Sequence, residues 1–175
     1  MPLEESYTTE NAVTSALWDT SARKWSAVQY VAGKSYTLTK FELSLKRHTL
    51  GIGDTLTGYV YSDSTGPNAS LGTSTNTVST TDIPTANTAY FAFNFSGISI
   101  TNGTTYWLVI ACSGTAGAKY IAIDNNTAGA VYVDGDGSGT WTSYATDKAP
   151  YKCYSADTSG ISIPVLQASY RRRRS

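Results

Sequence analysis

Charge is scarce in this chain: 15% of its 175 residues are Asp, Glu, Lys or Arg, against about 25% in an ordinary globular domain. The formal net charge of +0 hides an asymmetry, because Arg171, Arg172, Arg173 and Arg174 form one basic block and leave the rest of the chain mildly acidic. That balance argues against broad nucleic-acid binding by the folded part and leaves the arginines as its only electrostatic handle. No apolar run approaches the roughly 18 residues that a membrane span requires, so no membrane partner is expected. The beginning, Met1 to Glu5, has no basic and then apolar stretch of the kind that directs export, so synthesis and folding in a cytoplasm are expected.

Histidine is limited to His48, so a Ser-His-Asp or Cys-His centre would have to be built on it. Beside Lys46 and Arg47 and just before a turn, it reads as a solvated loop residue, and no Gly-X-Ser-X-Gly elbow accompanies it. Without a base, a nucleophile or a complete metal shell, the sequence points away from an enzyme and implies no cofactor. Cys112 and Cys153 are the only cysteines; in a reducing compartment such a pair reads as two small buried hydrophobes more readily than as a bridge.

Sustained helical periodicity is also missing, whereas Thr, Ser, Gly and 13 Tyr are plentiful, a composition that suits strands. From Tyr36 the period is two: Phe41, Leu43 and Leu45 share one face, with Glu42, Ser44 and Lys46 on the other. A second strand is expected over Leu56 to Tyr61, and a weak edge strand with loop over Leu71 to Thr88. Tyr90 to Phe95 places three phenylalanines on one face, and the Asn102-Gly103 pair marks a tight turn. Tyr106 to Cys112 is apolar on both faces, as a central strand or a strand covered by a neighbour requires. Short strands follow at Tyr120–Ile123, Ala130–Val133, Trp141–Tyr144 and Tyr151–Tyr154, at the spacing of a sandwich or barrel. These signals predict an all-β fold, an antiparallel β-sandwich of the jelly-roll kind with two Greek keys. Residues 1–27 form an arm or edge strand, 28–156 the sandwich, and 157–175 an extension ending in the basic block.

The stretch from Val28-Gln29-Tyr30 to Lys152-Cys153-Tyr154 resembles the β-sandwich domain called choice-of-anchor R. The resemblance is carried by Tyr36 to Lys46, by Tyr59 to Ser70 with its Gly66-Pro67 turn, and above all by Ile98-Ser99-Ile100-Thr101-Asn102-Gly103-Thr104-Thr105-Tyr106-Trp107-Leu108-Val109-Ile110. Domains of this kind occur in secreted bacterial surface proteins and in structural proteins of tailed phages, and neither setting implies catalytic residues. The absence of an export signal or anchor favours the phage setting, with localisation in the virion after synthesis in the host.

Four groups of residues are candidates for function. Arg171–Arg174 would suit an acidic patch on a neighbouring subunit or, through this tail alone, nucleic acid; a solubilising tail is the plain alternative. Ile161, Ile163 and Val165 alternate before and after Pro164, as an arm added to another chain's sheet edge or as the last strand of this domain. Trp141, Tyr144, Tyr59 and Tyr61 are candidates for a sugar-stacking platform, with core or sheet-edge packing as the other reading. Asp134 and Asp136 open an imitation of a calcium loop that lacks its closing acid, Ala145 standing there instead; a Gly-rich hairpin loop between Val133 and Trp141 accounts for the same residues. The sequence therefore leads to a virion decoration protein or a tail or fibre module, acting through other virion proteins or itself as a homo-oligomer such as a trimer. A carbohydrate-binding or adhesive module with a surface glycan as partner is the alternative.

Overall fold

The computed structural model describes residues 1–8, 13–17, 24–47, 53–113, 121–125, 132–135, 138–144 and 149–156. These build twelve strands: β1 (Leu3–Tyr7), β2 (Val13–Leu17), β3 (Trp25–Val31), β4 (Tyr36–Arg47), β5 (Thr55–Asp63), β6 (Pro67–Ser79), β7 (Ala89–Ile100), β8 (Thr105–Cys112), β9 (Ile121–Asn125), β10 (Tyr132–Gly135), β11 (Trp141–Tyr144) and β12 (Tyr151–Ser155). A single 3-10 turn at Thr80–Asp82 is the only helical element among the described residues.

All pairings are antiparallel, and they make two sheets. The first runs β1-β12-β4, with β7 on the far side of β4; the second runs β3-β8-β5-β6. Renumbered by chain order alone, these eight strands lie first-eighth-third-sixth in one sheet and second-seventh-fourth-fifth in the other, which is a jelly roll built of two Greek keys. The other four strands lengthen the sheets: β9 pairs with the end of β4 and carries β2, while the β10–β11 hairpin extends the second sheet beside β3.

The period-two reading of β4 explains the core. Phe41, Leu43 and Leu45 are fully buried, and Phe41 meets Phe93 and Phe95 of β7; Leu38, also fully buried, joins them through a register slip between Leu38 and Lys40. From the second sheet, Val28, Tyr30, Leu56, Val60, Leu108 and Ile110 close the interior. Burying one such side chain contributes about 1.5–3 kcal/mol. The Asn102-Gly103 turn forms with Gly103 at φ +75°, and the Gly103 amide donates to the Ala32 carbonyl. That bond ties the β7–β8 turn to the β3–β4 turn at one end of the sandwich.

Three elements differ from their sequence-based outline. The irregular stretch before Ser26 contributes β1, β2 and the start of β3, and β3 runs unbroken from Trp25 to Val31. The Ser- and Thr-rich stretch from Leu71 to Thr88 does hold an edge strand and then a loop, but the strand, β6, begins earlier, at Pro67, and runs for thirteen residues to Ser79. Its alternation is of polar against polar, with Thr73, Thr75 and Thr77 outward and Gly72, Ser74 and Asn76 turned inward, so hydrophobic period carries no signal there. Of the strand expected at Ala130–Val133, Tyr132 and Val133 lie in β10, which runs on to Gly135, while Ala130 and Val131 lie outside the described residues.

Candidate functional site

The two outer faces of the sandwich have opposite chemistry. On the first sheet, Lys40 pairs with Glu42 at 2.6 Å, the Tyr154 hydroxyl donates to Glu42 at 2.9 Å, and the ammonium groups of Lys40 and Lys152 sit over the rings of Tyr154 and Tyr90. Every charge named there is engaged by a neighbour. The Tyr154 hydroxyl is pushed up to about 12, chiefly by burial and next by its bond to Glu42.

The second sheet's outer face is aromatic. β8 sends Tyr106, Leu108, Ile110 and Cys112 into the core, so Trp107 and Val109 point outward and form, with Ala27 of β3, the floor of a separate cluster. Trp25, Tyr59, Tyr61 and Trp141 pack half-buried on that floor. The strand register explains how so many rings fit. Across the sheet, Trp141 faces Gly135, Gly135 faces Trp25, and Trp25 faces Ala111, so large and small residues alternate. A Cβ at Gly135 would lie 2.6 Å from the Thr140 carbonyl oxygen and 3.2 Å from the Trp141 ring; only glycine lets Trp141 cover this strand.

The rings engage one another. Trp25 and Tyr59 stack with centroids 5.0 Å apart and planes 28° from parallel, while Tyr61 meets both edge-on, at 6.5 Å and 6.2 Å. Such pairs contribute about 0.5–1.5 kcal/mol beyond their burial. Trp107, only 2% exposed, donates its indole N–H to Asp63 Oδ1 at 2.7 Å. Burial, and then the neighbouring Tyr59, push the Tyr61 hydroxyl up. A carboxylate held by an indole, with the Tyr61 phenol kept neutral beside it, offers contact and hydrogen bonding more than proton transfer.

Of the four aromatic candidates, three share this face: Tyr59 and Tyr61 on β5 and Trp141 on β11. Tyr144 lies on β11 opposite Tyr132, and its side chain is outside the described residues. Sequence reasoning did not nominate Trp25 or Trp107. Both were legible in part, since Trp107 is an outward residue of a strand apolar on both faces, but only the register sets Trp25 beside Tyr59.

Asp134 belongs to β10, paired on both sides with Ser26 and Thr142. Asp136, His48, Ile161, Ile163, Val165 and Arg171, Arg172, Arg173 and Arg174 lie outside the described residues. Cys112 and Cys153 are buried as separate thiols on different sheets, and burial pushes the Cys153 thiol far up.

No family model matches this chain, and no curated protein matches it either.

Proposed function

We propose that this protein is a non-enzymatic structural component of a tailed-phage virion, a capsid decoration protein or a tail or fibre module, and that it docks through the aromatic outer face of its second sheet. The observation that carries this reading is the cluster of Trp25, Tyr59, Tyr61 and Trp141, half-exposed over a floor of Trp107, Val109 and Ala27. Trp and Tyr are enriched in the buried centres of protein interfaces, where they dominate binding energy. The resemblance to choice-of-anchor R domains supports the phage setting. Its partners are other virion proteins or further copies of itself, for which closed cyclic symmetry such as a trimer is the natural arrangement.

A carbohydrate-binding role is the second reading. It is favoured by one detail: Trp141 covers Gly135 at the margin of the cluster, in register with Trp25 across that glycine, and aromatic faces pack against sugar rings. Light-scattering mass after size exclusion, paired with a glycan array, separates the two. A defined oligomer that dissociates in Trp25→Ser and Tyr59→Ser variants, with the fold retained by circular dichroism, supports docking through this face. A monomer with saturable glycan binding that Trp141→Ala abolishes favours the second reading instead.

A further inference from the structure

The strands of the first sheet carry basic residues, Lys40, Lys46, Arg47 and Lys152, as well as acidic ones. The strands of the second sheet, β3, β5, β6, β8, β10 and β11, contain no lysine or arginine, yet they hold Asp63 and Asp134. Lys24 stands just before β3, at the end of the sheet where β8 finishes, away from Asp63. The side chain of Asp134 is outside the described residues, so Asp63 is the acid on this sheet whose surroundings are defined.

Asp63 ends β5 two residues after Tyr61, so both side chains point to the outer face. Its Oδ1 accepts the Trp107 indole N–H at 2.7 Å, which fixes the carboxylate at the border of the ring cluster. The residue is exposed, and among the described residues no cation is paired with it. A fixed carboxylate beside a half-exposed ring is the pattern that takes an arginine. The guanidinium fork pairs with the carboxylate while its plane stacks on the ring, which a compact, strongly hydrated lysine ammonium does less well.

The topology says where such an arginine comes from. Ser62 faces Tyr106, Tyr106 faces Tyr30, and Val31 faces Thr105. Asp63 therefore stands at the end of the sandwich where the Gly103 amide joins the Ala32 carbonyl. β12 leaves the first sheet at that same end, with Ser155 opposite Leu38 near the start of β4. Arg171 follows Ser155 by sixteen residues. A chain of that length reaches up to about 50 Å, whereas packed sheets lie about 10 Å apart. Such a tether holds its end at an effective concentration in the millimolar range, which favours the chain's own arginines over those of a second copy in dilute solution.

We propose that Asp63 and Tyr61 seat an arginine of the chain's own Arg171–Arg174 block, so that the C-terminal segment lies across the border of the aromatic face. As a statement about docking, this rests on the reading of that face as an interface and adds its regulation: a partner reaches the rings only by lifting the segment away.

A nitroxide label on Ser175→Cys in the full chain tests the seat by NMR, since Cys112 and Cys153 are buried. The amide signals of Tyr61 and Asp63 and the Trp107 indole signal should broaden severalfold more than those of Lys40 and Tyr154 on the opposite face. Asp63→Asn, which keeps an oxygen for the indole, should reduce that broadening severalfold, as should high salt. A short bis-maleimide joining Ser64→Cys to Ser175→Cys should give products of monomer mass under denaturing conditions. Broadening no stronger at Asp63 than at Lys40, or indifferent to Asp63→Asn, overturns the proposal; products of dimer mass overturn it in favour of a neighbouring copy. The oligomer test with Trp25→Ser and Tyr59→Ser leaves Asp63 and the arginines untouched. A Trp25-dependent oligomer without the broadening thus removes the arginine seat alone, and the broadening in a protein whose mass ignores Trp25→Ser removes the docking reading alone.

Discussion

At the scale of single residues, two inward glycines show how closely the sheets approach. Gly58 on β5 lies under Phe93, so that a Cβ would fall 2.6 Å from the ring's Cγ and 2.7 Å from its Cβ. Those atoms sit near the β7 backbone and have little room to move. Gly72 on β6 faces Ile98 instead, with the contact at the terminal Cδ1, 2.8 Å away, and a rotamer change relieves it. Gly58→Ala should therefore cost about 1–3 kcal/mol, the usual penalty of overpacking, and Gly72→Ala distinctly less. Urea unfolding midpoints of the two variants check this; equal losses would contradict the packing account. Glycine in a strand reads from sequence only as a weakness or a bulge, so neither contact was legible before the sheets were in place.

At the scale of elements, the informative seam is between β6 and β7, which border different sheets and share no backbone ladder. The β5–β6 register passes from Thr57–Thr77 to Tyr59–Thr73, leaving residues 74–76 to bulge out opposite Gly58, whose amide donates to the Ser74 hydroxyl. The bulge delivers Asn76 to β7, where its amide donates to the Ala92 carbonyl at 2.9 Å and accepts the Asn94 amide at 2.7 Å. The Thr75 hydroxyl adds a bond to the Asn94 carbonyl. One side chain thus does for β7 what a neighbouring strand's peptide would do, and it covers an edge otherwise open to pairing with another chain. Asn76→Ala should destabilise the protein by about 1–3 kcal/mol, the cost of stranding buried backbone groups. Hydrogen exchange should quicken at the Asn94 amide while β4 amides facing β12 keep their protection. Unchanged exchange at Asn94 would mean that the seam is held by something else. An Asn in a Ser- and Thr-rich stretch gave no hint of this role, because its partner lies on a strand of the other sheet.

At the scale of the whole molecule, the jelly roll joins the ends of the described chain: β1 pairs with β12, and β12 with β4. Such pairings require large loops to close before any contact rewards them, so refolding is expected in the millisecond-to-second range typical of all-β domains. Stopped-flow fluorescence of the four tryptophans would measure it, and microsecond refolding would contradict the topology. The same wrapping leaves two broad outer faces, one a lattice of paired charges and rings and the other aromatic. That asymmetry underlies the proposed docking role, since a contiguous aromatic face gains most from being covered.

The sequence by itself determined the fold class, most strand positions and the apolar core face of β4 and β7, though not which residues of β8 face the core nor that Ser44 is buried as well. Alternation reports burial whenever a strand has one apolar face, and Phe41, Leu43 and Leu45 display it without ambiguity. It also nominated Tyr59, Tyr61 and Trp141 as a group of interest, though not the face they share. Only the tertiary structure decided that Trp25 and Trp107 join them and that Asn76 seals the seam. Each of these depends on register between strands distant in the chain, and a shift of one residue would turn every such side chain to the opposite face.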